Sequence, residues 1–120
     1  MRRATAVLTS ILFAVVVLAG CGEDEPTPST GTSDGDTIRI TFADGDVTPK
    51  GERFEMTAGE PVEVEIKADE PGELHVHSTP EQTIRYGSGT TTEQLTIDQP
   101  GVVDVESHDP DVVVVQLEVR

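Results

Sequence analysis

From Thr37 to the end of the chain, apolar and polar residues alternate with a period of two, and turn residues interrupt this pattern every eight to twelve positions. Side chains of a β-strand point alternately to opposite faces, so this period predicts strands with one buried face. Val62 to Lys67 is the clearest case, because Val, Val and Ile alternate there with Glu, Glu and Lys. No segment has a helical period. The pattern predicts an all-β sandwich or barrel.

The other predicted strands are defined by the residues that we expect to face the core. These are Ile38, Ile40 and Phe42; Phe54 and Met56; Leu74 and Val76; Leu95 and Ile97; Val103, Val105 and Ser107; and Val113, Val115, Leu117 and Val119. Thr83 to Tyr86 forms a weaker strand, and residues 43–46 and 49–51 are predicted to be a turn and a break. Residues 37–120 therefore form one folded domain.

Residues 1–20 have the features of a secretory signal peptide. Arg2 and Arg3 supply the positive end, and no charged residue follows as far as Gly20. The uncharged run is somewhat shorter than the ~20 apolar residues that a transmembrane helix needs, although an uncleaved anchor helix remains the alternative. Either alternative places the rest of the chain outside the cytoplasmic membrane.

The end of this segment, Leu18-Ala19-Gly20-Cys21, matches a bacterial lipobox, in which the cysteine is lipidated and the signal is cut just before it. Cys21 is the only cysteine of the chain, so no disulfide can form within it. Residues 21–36 are the lipidated cysteine and a polar, acidic linker without a large apolar side chain, which predicts a flexible tether. We thus expect a lipoprotein on the extracytoplasmic face of the cell membrane.

The chain is strongly acidic. Its formal charge is −15, and cleavage before Cys21 leaves six basic against 23 acidic residues, a charge of −17. Such a surface repels nucleic acid, which excludes nucleic-acid binding.

All three histidines of the chain lie near two predicted strand ends: His75 and His77 in Glu73-Leu74-His75-Val76-His77, and His108 after the strand that ends at Ser107. Alternation places His75 and His77 on the face opposite the core, and Glu106 shares the outer face with His108. If the fold joins these strand ends, His75, His77, His108 and Glu106 would supply three nitrogens and an oxygen suited to Cu(II) or Zn(II). Two alternatives remain open: solvated rings that pair with nearby carboxylates, and a pH-responsive cluster.

The strand pattern of residues 37–120 resembles the cupredoxin fold, a Greek-key β-sandwich. The residues that carry this resemblance are Ala58-Gly59-Glu60-Pro61-Val62, Glu73-Leu74-His75 and Pro100-Gly101. The resemblance implies that His75 occupies the first histidine-ligand position and that Ser107 fills the position of the ligand cysteine. Blue-copper electron transfer requires a thiolate, which residues 37–120 lack, so the resemblance implies the fold more firmly than the activity.

No sequence motif indicates an enzyme, and Ser107 and His108, as strand neighbours, should point to opposite faces. We expect a membrane-anchored lipoprotein that binds copper or zinc through the histidine cluster. The alternative is an interaction or adaptor module that binds another protein of the cell envelope.

Overall fold

The computed structural model describes residues 37–120, which form nine β-strands in two sheets around one core. The predicted fold class, an all-β Greek-key sandwich, is confirmed. The predicted signal peptide, the lipidation site Cys21 and the linker lie outside the described residues. Within residues 37–120, no helix is long and apolar enough to cross a membrane.

The first sheet has four strands in the order β2-β1-β4-β7. Their bounds are β1 Thr37–Ala43, β2 Asp46–Thr48, β4 Val62–Ala68 and β7 Gly89–Leu95. Strands β1 and β4 are parallel, whereas β2 and β7 pair antiparallel with their neighbours and form the two edges.

The second sheet has five strands in the order β3-β9-β8-β5-β6. Their bounds are β3 Glu52–Met56, β5 Gly72–Val76, β6 Gln82–Tyr86, β8 Gly101–His108 and β9 Asp111–Val119. The long β8–β9 hairpin forms its centre, β3 pairs parallel with β9, and β5 joins β8 to β6. The chain crosses between the sheets after β2, β3, β4, β6 and β7, so both sheets contribute to the same core.

The β1–β2 hairpin explains why strand β2 was not predicted from the sequence. Its two-residue loop, Asp44-Gly45, has positive φ angles of 55° and 75°, which is the geometry that Asp-Gly favours in tight hairpins. Strand β2, the three residues that follow, begins in the predicted turn and ends just before the predicted break, and it was not predicted as a strand. Three residues with one buried valine, Val47, are too few to show a period.

The last strand corrects one prediction. Val113 was expected to be buried, but it is only half-buried, and Val114 is fully buried instead. The cause is a β-bulge: Val105 is opposite Val115 and Glu106 is opposite Val113, so Val114 is an extra residue in β9. Beyond the bulge, Val115, Leu117 and Val119 are buried as predicted.

Candidate histidine–carboxylate site

Strands β5 and β8 bring the predicted site residues to one face of the second sheet. In the antiparallel register His75 is opposite Glu106, and Leu74 is opposite Ser107. Leu74 and Ser107 are buried in the core, which leaves His75 and Glu106 on the outer face, as the alternation predicts. His77 follows the last residue of β5, and its backbone N–H donates to the Asp104 carbonyl at 2.9 Å, which extends the pairing by one step.

His108 approaches one member of the His-x-His pair. The ring centroids of His75 and His108 lie 4.7 Å apart, with an interplanar angle of 65°. His77 contacts Glu106 instead, with 2.8 Å between its Nε2 and the Glu106 Oε2. The structure thus brings together all four predicted site residues as two adjacent pairs on one outer face.

Two further carboxylates complete what we call the histidine–carboxylate face: Glu73, His75, His77, Glu81, Glu106 and His108. Both nitrogens of His75 have a carboxylate neighbour, Glu73 Oε1 at 3.1 Å from Nε2 and Glu81 Oε1 at 3.4 Å from Nδ1. The bond to Glu73, and then the bond to Glu81, raise the pKa of His75 above its usual value, because both favour the protonated ring.

Glu81 is the member that sequence reasoning missed. It lies in the turn between β5 and β6, and its Oε2 is 3.9 Å from His77 Nδ1. The buried Ser78 shapes this turn, because its hydroxyl donates to the Pro80 carbonyl at 2.7 Å and accepts from the Gln82 side chain at 3.2 Å. A Ser-x-Pro turn after the histidine strand is the signal that could have indicated a carboxylate folding back onto it.

The face is accessible to solvent. The side chains of His75, His77 and His108 are 24%, 42% and 59% exposed. Within residues 37–120, no group of three or more His, Cys, Asp or Glu side chains stands in an arrangement that could hold a metal ion. A metal at this face would therefore require ring and carboxylate rotations, which exposed side chains allow.

Residues 37–120 contain no cysteine and so cannot by themselves supply the thiolate of a blue-copper centre. Ser107, which the sequence resemblance places at the ligand-cysteine position, is 1% exposed and accepts the Asp109 backbone N–H at 3.3 Å. Its opposite neighbour is Leu74, and His75 points to the other face of the sheet. A thiolate at position 107 would thus not share a ligand sphere with His75. Ser107 is buried and its neighbour His108 is exposed, as the alternation predicts.

Comparison with solved structures finds similarity to cupredoxins. A purple cupredoxin from Nitrosopumilus maritimus is 14% identical with a TM-score of 0.48, and the similarity covers 69% of this chain and 99% of that one. Two amicyanin mutants, a Met→Ala variant with Cu(I) and an oxidised Pro→Gly variant, are 14% and 15% identical; each has a TM-score of 0.49 and covers 79% of this chain and 95% of its own. No conclusion about ligands or activity follows from likeness at this level.

No family model matches the chain, and no curated protein matches it.

Proposed function

We propose that this chain is a lipid-anchored protein of the extracytoplasmic membrane face that binds Cu(II) or Zn(II) through its histidine–carboxylate face. The observation that supports the proposal is the position of all three histidines of the chain on one outer surface, within reach of three glutamates. Imidazole nitrogen with carboxylate oxygen is a donor set that suits both ions.

The His75–His108 and His77–Glu106 contacts suggest different roles for the histidines. His75 and His108 already lie ring against ring, so they are the nearest candidates for two nitrogen ligands. His77 and Glu106 would add a nitrogen and an oxygen from the adjacent pair. Glu73 and Glu81 flank the His75 ring and would hold its orientation, as second carboxylates commonly do for ligand histidines.

Protons compete with a metal at this face. A histidine ligand must be neutral, and the glutamates that raise the pKa of His75 favour its protonated form. Metal affinity should consequently fall steeply as the pH is lowered toward the ordinary histidine range. This dependence separates histidine ligation from adsorption to carboxylates, which stay ionised over the same interval.

The experiment is a titration of the full chain with Cu(II) and with Zn(II), followed calorimetrically above and below neutral pH. We expect one ion per chain with micromolar or tighter affinity. The affinity should fall at least about a hundredfold in a His75→Ala/His77→Ala variant, since loss of a group that only orients a ligand already costs about 10–100-fold. The matched control is Glu93→Gln/Asp98→Asn, which removes two exposed charges away from the face.

Weak uptake that both double variants reduce equally would contradict the proposal, because it would mean binding to the acidic surface as a whole. Uptake that is independent of pH would contradict it as well.

The membrane location and the non-catalytic role are also parts of this proposal. The lipobox residues Leu18 to Cys21 support lipid attachment, and fatty-acid labelling of a Cys21→Ser variant tests it, as described in the Discussion. The opposite orientation of Ser107 and His108 supports binding rather than catalysis. Hydrolysis of a model ester that depends on Ser107 would contradict that part.

One observation favours a second function, an adaptor module without metal. His75 and His77 already have carboxylate neighbours within the face, so their ring nitrogens have partners without a metal. Strand β7 is an edge with exposed side chains on both faces, which offers a place for a partner strand. An adaptor would keep its protein partner in the His75→Ala/His77→Ala variant, whereas a metal-handling protein would lose its ion.

A further inference from the structure

A cleft of about 260 Å³ opens at the end of the sandwich where β1 ends and β5 begins. One side comes from the β1–β2 hairpin and the turn before β5, and the other comes from the β8–β9 turn. Its wall includes both aromatic rings of this region, Phe42 and Tyr86, whose centroids lie 4.9 Å apart in a stacked arrangement. Glu73 and His108 of the histidine–carboxylate face also line it, whereas His75 and His77 do not.

Tyr86 is the main polar group of the apolar wall. Tyr86 is only 8% exposed. Its hydroxyl forms no hydrogen bond with any residue of 37–120. Burial, together with the nearby charge of Asp109, raises the pKa of the phenol, so the group stays neutral. The ring packs so closely on Gly72 that a Cβ there would lie 2.7 Å from its Cζ atom. This close packing holds the neutral hydroxyl at the cleft, where no residue of 37–120 is its hydrogen-bond partner.

The rest of the lining carries a strong negative charge. Five carboxylates line the cleft, and no lysine or arginine does; the five are Asp46, Asp69, Glu70, Glu73 and Asp109. Lys50 pairs with Asp46, and Arg85 lies 3.5 Å from Glu73. Asp69 accepts the Asp44 backbone N–H at 2.8 Å, and Glu70 and Asp109 have no ion pair with any residue of 37–120. The cleft thus combines an apolar ring wall, a neutral hydroxyl and uncompensated carboxylates.

We propose that this cleft binds a primary alkylammonium ion. An ammonium group is a compact charge with three N–H donors, which match a hydroxyl acceptor and two carboxylates without a cation partner. The alkyl chain would pack against the aromatic wall, and the small volume admits a short chain rather than a large ligand. Anions are repelled, and neutral alcohols lack the charge that the lining favours.

The chain offers a direct reporter for this test, because Tyr86 is its only tyrosine and it has no tryptophan. Tyrosine fluorescence of the full chain is titrated with n-butylammonium, 1-butanol and calcium chloride at moderate salt. We expect a saturable change with n-butylammonium at an affinity at least about tenfold higher than for 1-butanol, since a hydrogen bond to a charged group is stronger than one to a neutral group.

Variants identify the groups that bind. Asp109→Asn should weaken n-butylammonium binding about tenfold by the same reasoning, whereas the matched control Asp98→Asn, an exposed residue outside the cleft, should leave it unchanged. Tyr86→Phe keeps the ring but loses the hydroxyl and the emission, so its weaker binding is measured by the broadening of the ligand's NMR signals. The His75→Ala/His77→Ala variant should bind n-butylammonium normally, which separates this proposal from metal binding.

The ammonium group could come from a lysine side chain of a partner or from a free amine, and a further ligand distinguishes the two. Tighter binding of Nα-acetyl-lysine amide than of n-butylammonium would assign the site to a lysine side chain of a partner, and the reverse order would assign it to a free amine. Equal responses to n-butylammonium and calcium, or binding that Asp109→Asn and Tyr86→Phe both leave intact, would overturn the proposal.

Discussion

His75 is surrounded by groups that favour its protonated form. Glu73 and Glu81 contact its two ring nitrogens, and Glu106 and His108 face it from β8. Arg85 also lies beside Glu73, so the histidine shares that carboxylate with a permanent cation. Protonation converts the two histidine–glutamate contacts into charge-assisted pairs, which is why its pKa is raised.

A raised folded-state pKa fixes the sign of the pH dependence. The stabilisation from protonated His75 is complete below its unfolded pKa, about 6.5, and is lost as the pH rises through the higher folded value. We expect the urea midpoint of the wild-type chain to fall between about pH 6 and pH 9 by more than that of a His75→Gln variant. Equal changes in the two chains, or a wild-type midpoint that rises more, would contradict this prediction.

Single residues also show how far the site could be predicted. The outer-face position of His75 and His77 follows from strand alternation, which is a local property of the backbone. The contact of His108 with His75 depends on the β5–β8 register, and the contact of Glu81 depends on the path of a turn. Neither the register nor the turn path can be read from a period of two.

Strand β9 is the element in which packing departs most from the sequence pattern. A run of four valines, Val112 to Val115, has no alternation of its own, because every position is apolar. The bulge at Val114 decides which of them face the core, and the Gly51 backbone N–H donates to the carbonyls of both Val113 and Val114 at 2.8 and 2.9 Å. The loop before β3 thus holds the bulge in place.

The bulge predicts an unequal response to truncation along β9. Val114→Ala should lower the free energy of unfolding by about 2 kcal/mol, since it removes two buried methyl groups and leaves a cavity. Val113→Ala should cost less than about 1 kcal/mol, because the side chain is only half-buried. Urea unfolding of both variants measures the difference. A larger loss of unfolding free energy for Val113→Ala than for Val114→Ala would mean that Val113 faces the core, which would contradict the bulge.

The other strands also differ in how far their own sequence predicts them. Strands β1, β4 and β8 were predicted because each has at least three inward-facing residues at a period of two. Strand β7 is polar along most of its length, so its pairing with β4 depends on a neighbour rather than on its own composition. Which strands share a sheet depends on contacts between distant segments, which no local pattern contains.

At the scale of the whole molecule, the lipid-anchor proposal depends on Cys21. Wild-type protein made in a bacterium that processes lipoproteins should incorporate a labelled fatty acid and have the mass of a chain that begins at Cys21. The Cys21→Ser variant should incorporate none and should retain residues 1–20. A wild-type chain of unmodified mass that still begins at Met1 would support the uncleaved anchor helix instead.

Strand β1 connects the two ends of the sandwich. Thr37 joins the segment that carries Cys21, and Ala43, six residues or roughly 20 Å further on, lines the cleft. The start of the described chain and the cleft therefore lie at opposite ends of strand β1. A domain tethered through Thr37 would thus carry Tyr86 and Asp109 at the end of β1 farthest from its attachment point, where solutes and neighbouring proteins can reach them.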